Sequence, residues 1–255
     1  TNYNYNEATM GYHEDNKSNF SWGIYKQRGW EKSNLVTYME SHDEERLMFK
    51  NQQYGNSSGG YNVQNLATAL ERMQLASAFF YLLPGLKMVW QFGELGYDYS
   101  INYEGRTAPK PIRWDYLEQP NRHELFQVVS ALIKLKRDHP VFSTSQFSYS
   151  LGPALKWITL ERDSMNAVII GNFDVRQRST TFTFPHENDW FDYFSGDTLQ
   201  LASTQASLDL SPGQFFIYTD VKLETPDIST GIKTNPVETP RTFALEQNYP
   251  NPFNS

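Results

Sequence analysis
The 255-residue sequence contains no cysteine. This excludes a disulfide framework and any thiolate metal site. It also contains no apolar run long enough to cross a bilayer, so no transmembrane segment is expected. It has no basic cluster: 22 Lys and Arg stand against 29 Asp and Glu, a net charge of −7, which argues against nucleic acid as a partner. The opening Thr1-Asn2-Tyr3-Asn4-Tyr5-Asn6 lacks an initiator Met and a charged-then-apolar leader, and the start reads as an internal cut. What the chain has in quantity is aromatic residues, at 15%. These serve a hydrophobic core and a sugar-stacking surface equally well.

Residues 1–33 are polar and aromatic without clear period and read as loop and irregular helix. A short apolar run at 35–39 breaks abruptly into Glu40-Ser41-His42-Asp43, the pattern of a buried strand ending in polar groups. Residues 44–60 are polar and read as loop. Over 62–83, Leu66, Leu70, Met73, Ala76 and Phe80 recur at helical spacing, with Asn62 as the expected N-cap and Pro84-Gly85 as the stop. A second short strand is expected at 88–92, closed by Gly93-Glu94. A second helix is expected at 122–138, with Asn121 and Glu124 as a capping box and Leu125, Val128, Val129, Leu132 and Leu135 as its buried face.

Strand, loop, helix repeated twice is the mark of parallel βα units. Both polar clusters follow a strand, which in a βα-barrel is the catalytic face. Two units cannot close a barrel, so the others are expected upstream of Thr1. After Pro140, short alternating runs at 146–151, 155–161, 167–173, 180–184 and 215–219 are separated by turn residues. The expected fold class is therefore α/β plus all-β: the C-terminal βα units of a (β/α)8 TIM barrel over 1–140, then an antiparallel β-sandwich over 141–221. Residues 222–241, rich in Pro and Thr, read as a linker.

The segment Tyr38-Met39-Glu40-Ser41-His42-Asp43-Glu44-Glu45-Arg46 resembles the fourth conserved region of the α-amylase family, the family-13 glycoside hydrolases. There a barrel strand ends in an acid, Asn or Ser, then His-Asp. The segment from Pro84 to Glu94 resembles that family's last barrel strand, which usually ends in Tyr-Gly-Glu. Two departures are visible: Ser41 where many relatives have Asn, and Leu86-Lys87 in place of a commoner Pro-containing turn. The resemblance covers about 1–221. It implies a retaining hydrolase of α-1,4-glucans such as starch or glycogen, with Asp43 as the acid that stabilises the transition state. It also implies that His42 donates to a hydroxyl of the same sugar. Glu40 would orient Arg46 or an arginine outside the chain, and Glu94 would support the barrel rim or touch substrate. Trp90, Phe92, Tyr97 and Tyr99 read either as core or as a sugar-stacking platform. Nothing here matches the regions carrying the family's nucleophile Asp and acid Glu, so the chain alone is expected to be inactive. A branching or transglycosylating enzyme of the same family, or a non-catalytic glucan-binding module, are the alternatives. His13, His123, His139 and His186 show no ligand spacing and read as surface or linker residues. No metal or other cofactor is expected in this segment, and the calcium common in the family would lie upstream.

The end of the chain, from Phe243 through Asn248-Tyr249-Pro250-Asn251-Pro252-Phe253-Asn254, resembles the opening of the C-terminal sorting domain of the type IX secretion system. It implies that the secretion machinery is a partner, that residues 242–255 begin a truncated sorting domain, and that the protein is secreted or held at the bacterial cell surface.

Overall fold
The computed structural model describes residues 1–228. The sorting-signal resemblance at 242–255 and most of the linker expected at 222–241 lie outside the described residues. Helix α1 spans Asn2–Met10, β1 Val36–Thr37, α2 Leu47–Tyr54, β2 Ser57–Ser58, β3 Tyr61–Asn62, α3 Leu66–Leu82, β4 Leu86–Lys87 and α4 Pro120–Asp138. Strands β5 Phe147–Ser150, β6 Leu155–Leu160, β7 Ala167–Asn172, β8 Arg178–Thr183, β9 Asn188–Asp192, β10 Thr198–Leu201, β11 Gln205–Leu210 and β12 Phe215–Thr219 follow. Among the described residues no helix is long and apolar enough to cross a membrane.

Strands β1 and β4 are parallel neighbours, Val36 opposite Leu86 and Thr37 opposite Lys87, with α2 and α3 in the connection between them. Both strands are shorter than expected, and the second lies at 86–87 rather than 88–92. The reason is pairing: Met88 N–H donates to Thr37 O at 2.9 Å, and two residues later the chain turns, Gly93 N–H donating to Trp90 O at 2.9 Å. Phe92 there takes the left-handed conformation at φ 59°, which no strand residue does.

The region expected to be loop at 44–60 holds α2 and the β2–β3 hairpin around Gly59-Gly60. Helix α2 is too polar along 49–54 to show an apolar stripe; only its first turn, Leu47 and Met48, is buried apolar surface. The N-caps also differ from expectation. Helix α3 starts after Asn65, not Asn62, and Leu66 is exposed. Helix α4 starts after Gln119, because Pro120 at the first helical position is pre-set for the helix and lacks the N–H that a cap would satisfy. Glu124 accepts instead from Gln74 Nε2 at 3.2 Å, tying α4 to α3.

The later residues form a six-stranded sheet in the order β10-β9-β12-β7-β6-β5 and a two-stranded ribbon, β11-β8, all antiparallel. Strands β9, β10 and β11 carry too many polar residues for the sequence pattern to isolate. Every residue of β7 is buried, because the sheet is covered on both faces. Val168 and Ile170 join Phe182, Trp190, Leu208 and Leu210 in one core between sheet and ribbon. Ala167, Ile169, Ile158 and Ile217 join Leu75, Phe79 and Leu132 in a second, larger core between sheet and helices. At that seam a Cβ added to Gly171 would lie 2.5 Å from Leu75 Cδ1 and 2.9 Å from Phe79 Cε2, so glycine is what allows α3 to approach so closely.

The irregular N-terminal segment is held by aromatic packing and by buried cations. Phe20 stacks on Tyr5 at 4.3 Å and meets Phe79 and Phe173 edge-on. The buried Arg72 guanidinium donates to Ala8 O at 2.8 Å and Thr9 O at 2.9 Å, carbonyls in the last turn of α1, and to Phe173 O and Asp174 O just past β7. Lys156, fully buried, donates to Leu151 O, Pro153 O and Ser18 Oγ, and burial pushes its ammonium pKa down to about 7. His13 is not a surface residue. It bridges Ser18 Oγ and Phe173 O, each at 2.8 Å, and burial holds its pKa down to about 4. His186 also has a structural partner: it stacks on Trp190 and reaches Asp220 at 3.0 Å, which raises its pKa.

Candidate active site
The segment after β1 is fixed before it reaches the site. Thr1 Oγ1 donates to Tyr38 O at 2.8 Å, and Asn2 Nδ2 donates to Met39 O at 2.7 Å. Glu40 then turns inward and is 5% exposed. Its Oε2 accepts from Arg46 Nη1 at 2.9 Å, and its Oε1 accepts from the Leu47 N–H at 2.7 Å, the start of α2. Burial raises the Glu40 pKa and the Arg46 guanidinium opposes that rise. A carboxylate at a helix N-terminus, ion-paired and out of water, is favourably placed. Arg46 lies on the Tyr97 ring at 4.6 Å and donates to Gln91 O, linking the two polar segments.

Ser41 makes the turn that aims the next two side chains. Its Oγ accepts from Asp43 N–H at 3.2 Å and donates to Glu44, whose other oxygen accepts from Tyr38 O–H. Serine hydroxyls form this two-residue turn as Asn side chains do, so the Ser41 departure leaves the local geometry available. His42 and Asp43 project into solvent, with side chains 70% and 69% exposed and His42 Nε2 3.3 Å from Asp43 Oδ2. The Trp90 ring lies 5.7 Å from the His42 ring at 49°.

These residues form one wall of a cavity of about 420 Å³, a size that suits a small organic ligand. The opposite wall comes from 97–110 and includes Tyr99, Ser100, Ile101, Arg106 and Lys110; of these five the sequence pattern singled out Tyr99 alone. That loop is pinned at several points. Glu45 accepts from Ser100 Oγ and the Ile101 N–H, each at 2.8 Å. Lys110 Nζ gathers the carbonyls of Tyr103, Gly105 and Ala108, and Tyr97 O–H donates to Pro111 O at 2.7 Å. Arg106 then reaches back to the first wall: it donates to Asp43 O at 2.7 Å, with Nη2 4.0 Å from the carboxylate. Its only sequence signal is an arginine in a loop rich in Tyr, Asn and Gly, which points nowhere until the loop folds over Asp43.

Of the sequence-named residues, His42, Asp43, Arg46, Trp90, Tyr97 and Tyr99 meet at this cavity. Glu40 does not reach it; the ion pair with Arg46 uses its carboxylate. Glu94 does not line it either. It sits in the Gly93–Leu95 turn, electrostatically close to Glu40 and Tyr81. The aromatic group divides: Phe92 is buried away from the cavity and stacks at 5.8 Å on Tyr97, which is buried but lines it, whereas Trp90 and Tyr99 are half-buried on the cavity. Among the described residues, no three His, Asp or Glu side chains cluster as metal ligands would.

The chain has the fold of part of an α-amylase. It superposes with a TM-score of 0.59 and 14% identity on the α-amylase of Geobacillus thermoleovorans complexed with acarbose, covering 76% of this chain and 41% of that one. It matches AmyP in complex with maltotriose with a TM-score of 0.64 and 14% identity, over 88% of this chain and 49% of that one. It also matches the pullulanase of Bacillus acidopullulyticus with a TM-score of 0.60 and 16% identity, over 85% and 30%. The chain thus spans half or less of the length of these structures. No protein-family model matches the sequence, and no curated protein sequence matches it.

Proposed function
We propose that the chain is the C-terminal part of an α-glucan-active glycoside hydrolase of the α-amylase type. In this reading residues 1–140 complete a (β/α)8 barrel. The observation that carries it is the exposed His42-Asp43 pair beside Trp90, at the end of a strand that has a parallel neighbour, in a fold shared with amylases. A carboxylate held at the cavity by a serine turn and an arginine can grip hydroxyls of a sugar ring. Such hydrogen bonds strengthen as the ring flattens towards an oxocarbenium-like transition state. His42 adds a donor or acceptor to the same sugar, and the Trp90 ring offers an apolar face to its C–H groups.

Retaining hydrolysis needs a nucleophilic carboxylate and a general acid about 5–5.5 Å apart. In this cavity Asp43 is engaged by His42 and Arg106, and Glu44 by Ser41 and Tyr38. The nucleophile and acid therefore belong, in this reading, to the rest of a longer protein, and the chain alone is inactive. The sorting-signal resemblance at 242–255 supports secretion through the type IX machinery.

The test is steady-state kinetics of the full-length protein on soluble starch, with product analysis by chromatography. Asp43→Asn keeps the shape of the side chain and loses its charge. The expected loss is on the order of a thousandfold in kcat, about 4 kcal/mol, with the circular dichroism spectrum unchanged. A folded variant within about tenfold of wild type refutes the role of Asp43. Products longer than the substrate would assign a branching or transglycosylating reaction instead of hydrolysis. Starch binding by the full-length protein without any turnover would assign a binding module.

A further inference from the structure
We infer that Glu44 is a positioning residue of the site: by holding the Ser41 hydroxyl it fixes the turn that aims Asp43, and so lets a serine serve at that turn. This inference rests on the role given to Asp43 above. Ser41 and Glu44 stand at the Ser-x-x-Glu spacing that commonly opens a helix. Here the helix begins later, at Leu47, and the two side chains close on each other instead.

The contacts run in a chain from the end of β1 to the exposed acid. Ser41 is buried, and its Oγ accepts the Asp43 N–H at 3.2 Å while donating its own proton to Glu44 Oε2. Glu44 Oε1 accepts from the Tyr38 O–H at 3.2 Å, so both oxygens of this carboxylate are held by the protein. The Glu44 charge raises the Tyr38 pKa, which keeps the phenol protonated as a donor. A serine hydroxyl is a rotor with one proton and two lone pairs, and it closes such a turn more weakly than an Asn side chain does. Only a rotamer with the proton turned away leaves a lone pair for the Asp43 N–H. A carboxylate acceptor selects that rotamer through a charge-assisted hydrogen bond. Donation by the Ser41 hydroxyl also polarises its oxygen into a better acceptor for the Asp43 N–H. An Asn at this position would offer a carbonyl oxygen with no rotor to set. Glu44 therefore supplies at this turn what the serine lacks. The Asp43 side chain is itself 69% exposed, so its direction is set by its backbone, which this turn fixes on one side and Arg106 holds at the Asp43 carbonyl.

The experiment is a double-mutant cycle in the full-length protein with two readouts. One is steady-state kinetics on soluble starch. The other is hydrogen exchange at the Asp43 amide, read by residue-level mass spectrometry of the peptide over 40–46. Glu44→Ala is expected to lower kcat about twentyfold with KM within about twofold, because misplacing a reacting group by about 1 Å can cost about a hundredfold. Exchange at Asp43 should quicken about tenfold, with the circular dichroism spectrum and the urea midpoint unchanged. Glu44→Gln keeps one acceptor oxygen and should recover most of the loss. Ser41→Ala, which removes the hydroxyl itself, should match Glu44→Ala in both readouts, and a disagreement of about tenfold between them overturns the proposal. In a Ser41→Asn background, Glu44→Ala should cost less than about twofold in kcat, so the two changes are non-additive. Equal costs in the two backgrounds overturn the proposal, as does a folded Glu44→Ala protein with wild-type kcat and wild-type exchange. A rise in KM at constant kcat overturns it too, by assigning Glu44 to substrate binding. If Asp43→Asn leaves turnover intact, the reaction proposed for Asp43 fails, whereas faster Asp43 exchange in Glu44→Ala would still establish the turn.

Discussion
The loops that carry the site and the sheet that follows them are held by different forces. Around the site, buried polarity comes in pairs, Glu40 with Arg46 and Asp98 with Arg122, and at the surface Arg113 holds Asp115 and two tyrosine hydroxyls. Its apolar nucleus is small, chiefly Phe92, Leu95, Tyr97 and Tyr116. In the sheet the reverse holds. Strand β7 is buried from end to end and apolar up to Asn172, and two cores meet on its opposite faces. Directional pairs fix a loop in one geometry but fail together when one partner goes. Buried area tolerates change in proportion to volume. Precision at the site is thus obtained from charge, and persistence of the fold from area.

The sharpest test of that contrast after Asp43→Asn is Arg46→Ala. Removing the guanidinium strands Glu40 in a buried position and releases Gln91. The expected cost is about 3 kcal/mol in urea unfolding, with loss of activity although Arg46 performs no chemistry in this reading. A loss below 1 kcal/mol would show that the pair is not what holds the loops.

His13 tests the seam between the two regions. Its folded pKa of about 4 lies below the ordinary 6.5. The unfolded chain therefore binds the proton first as pH falls, so the stability His13 contributes is complete above pH 6.5 and is lost between pH 6.5 and 4. His13→Gln should flatten the wild-type decline across that window by roughly 3 kcal/mol, read as the difference between the two denaturation-midpoint profiles. Parallel profiles would place the acid lability elsewhere.

Within the sheet, Gly171→Ala should cost about 1–2 kcal/mol, because the added methyl meets Leu75 and Phe79. Catalysis should be unchanged, since the damage is to area and not to the site. A drop in kcat with intact stability would break the division drawn here. The smallest effect is expected from Arg106→Ala. Its contact with Asp43 is exposed, so about a tenfold fall in kcat, about 1.4 kcal/mol, is the expected result. Arg106→Lys should recover part of it if the role is to hold Asp43 in place, while KM should move little.

Much of this was legible in the order of residues. The period of α4 exposed its buried face, because a helix that packs on one side must repeat its apolar residues near 3.6; that of α3 did so only in part, since Leu66 is exposed and every residue from Leu75 to Leu82 is buried. The abrupt change from an apolar run to Glu40-Ser41-His42-Asp43 marked where the chain leaves the core. Strand β7 announced itself by Val168-Ile169-Ile170, which only a doubly covered strand tolerates. Helix α2 and strands β9, β10 and β11 were not legible, since polar residues are mixed into them, some on the solvent side and some, such as Asn51 and Asp192, buried, and their stability comes from partners far along the chain. The sequence alone also named His42 and Asp43. It could not say that Glu40 turns inward to Arg46, that Glu94 stays off the cavity, or that Arg106, 63 residues from Asp43 in sequence, closes over it. Local periodicity encodes which face of an element is buried. Which side chains from separate loops meet is decided only when tertiary packing brings those loops together, because no local pattern carries the partner's position.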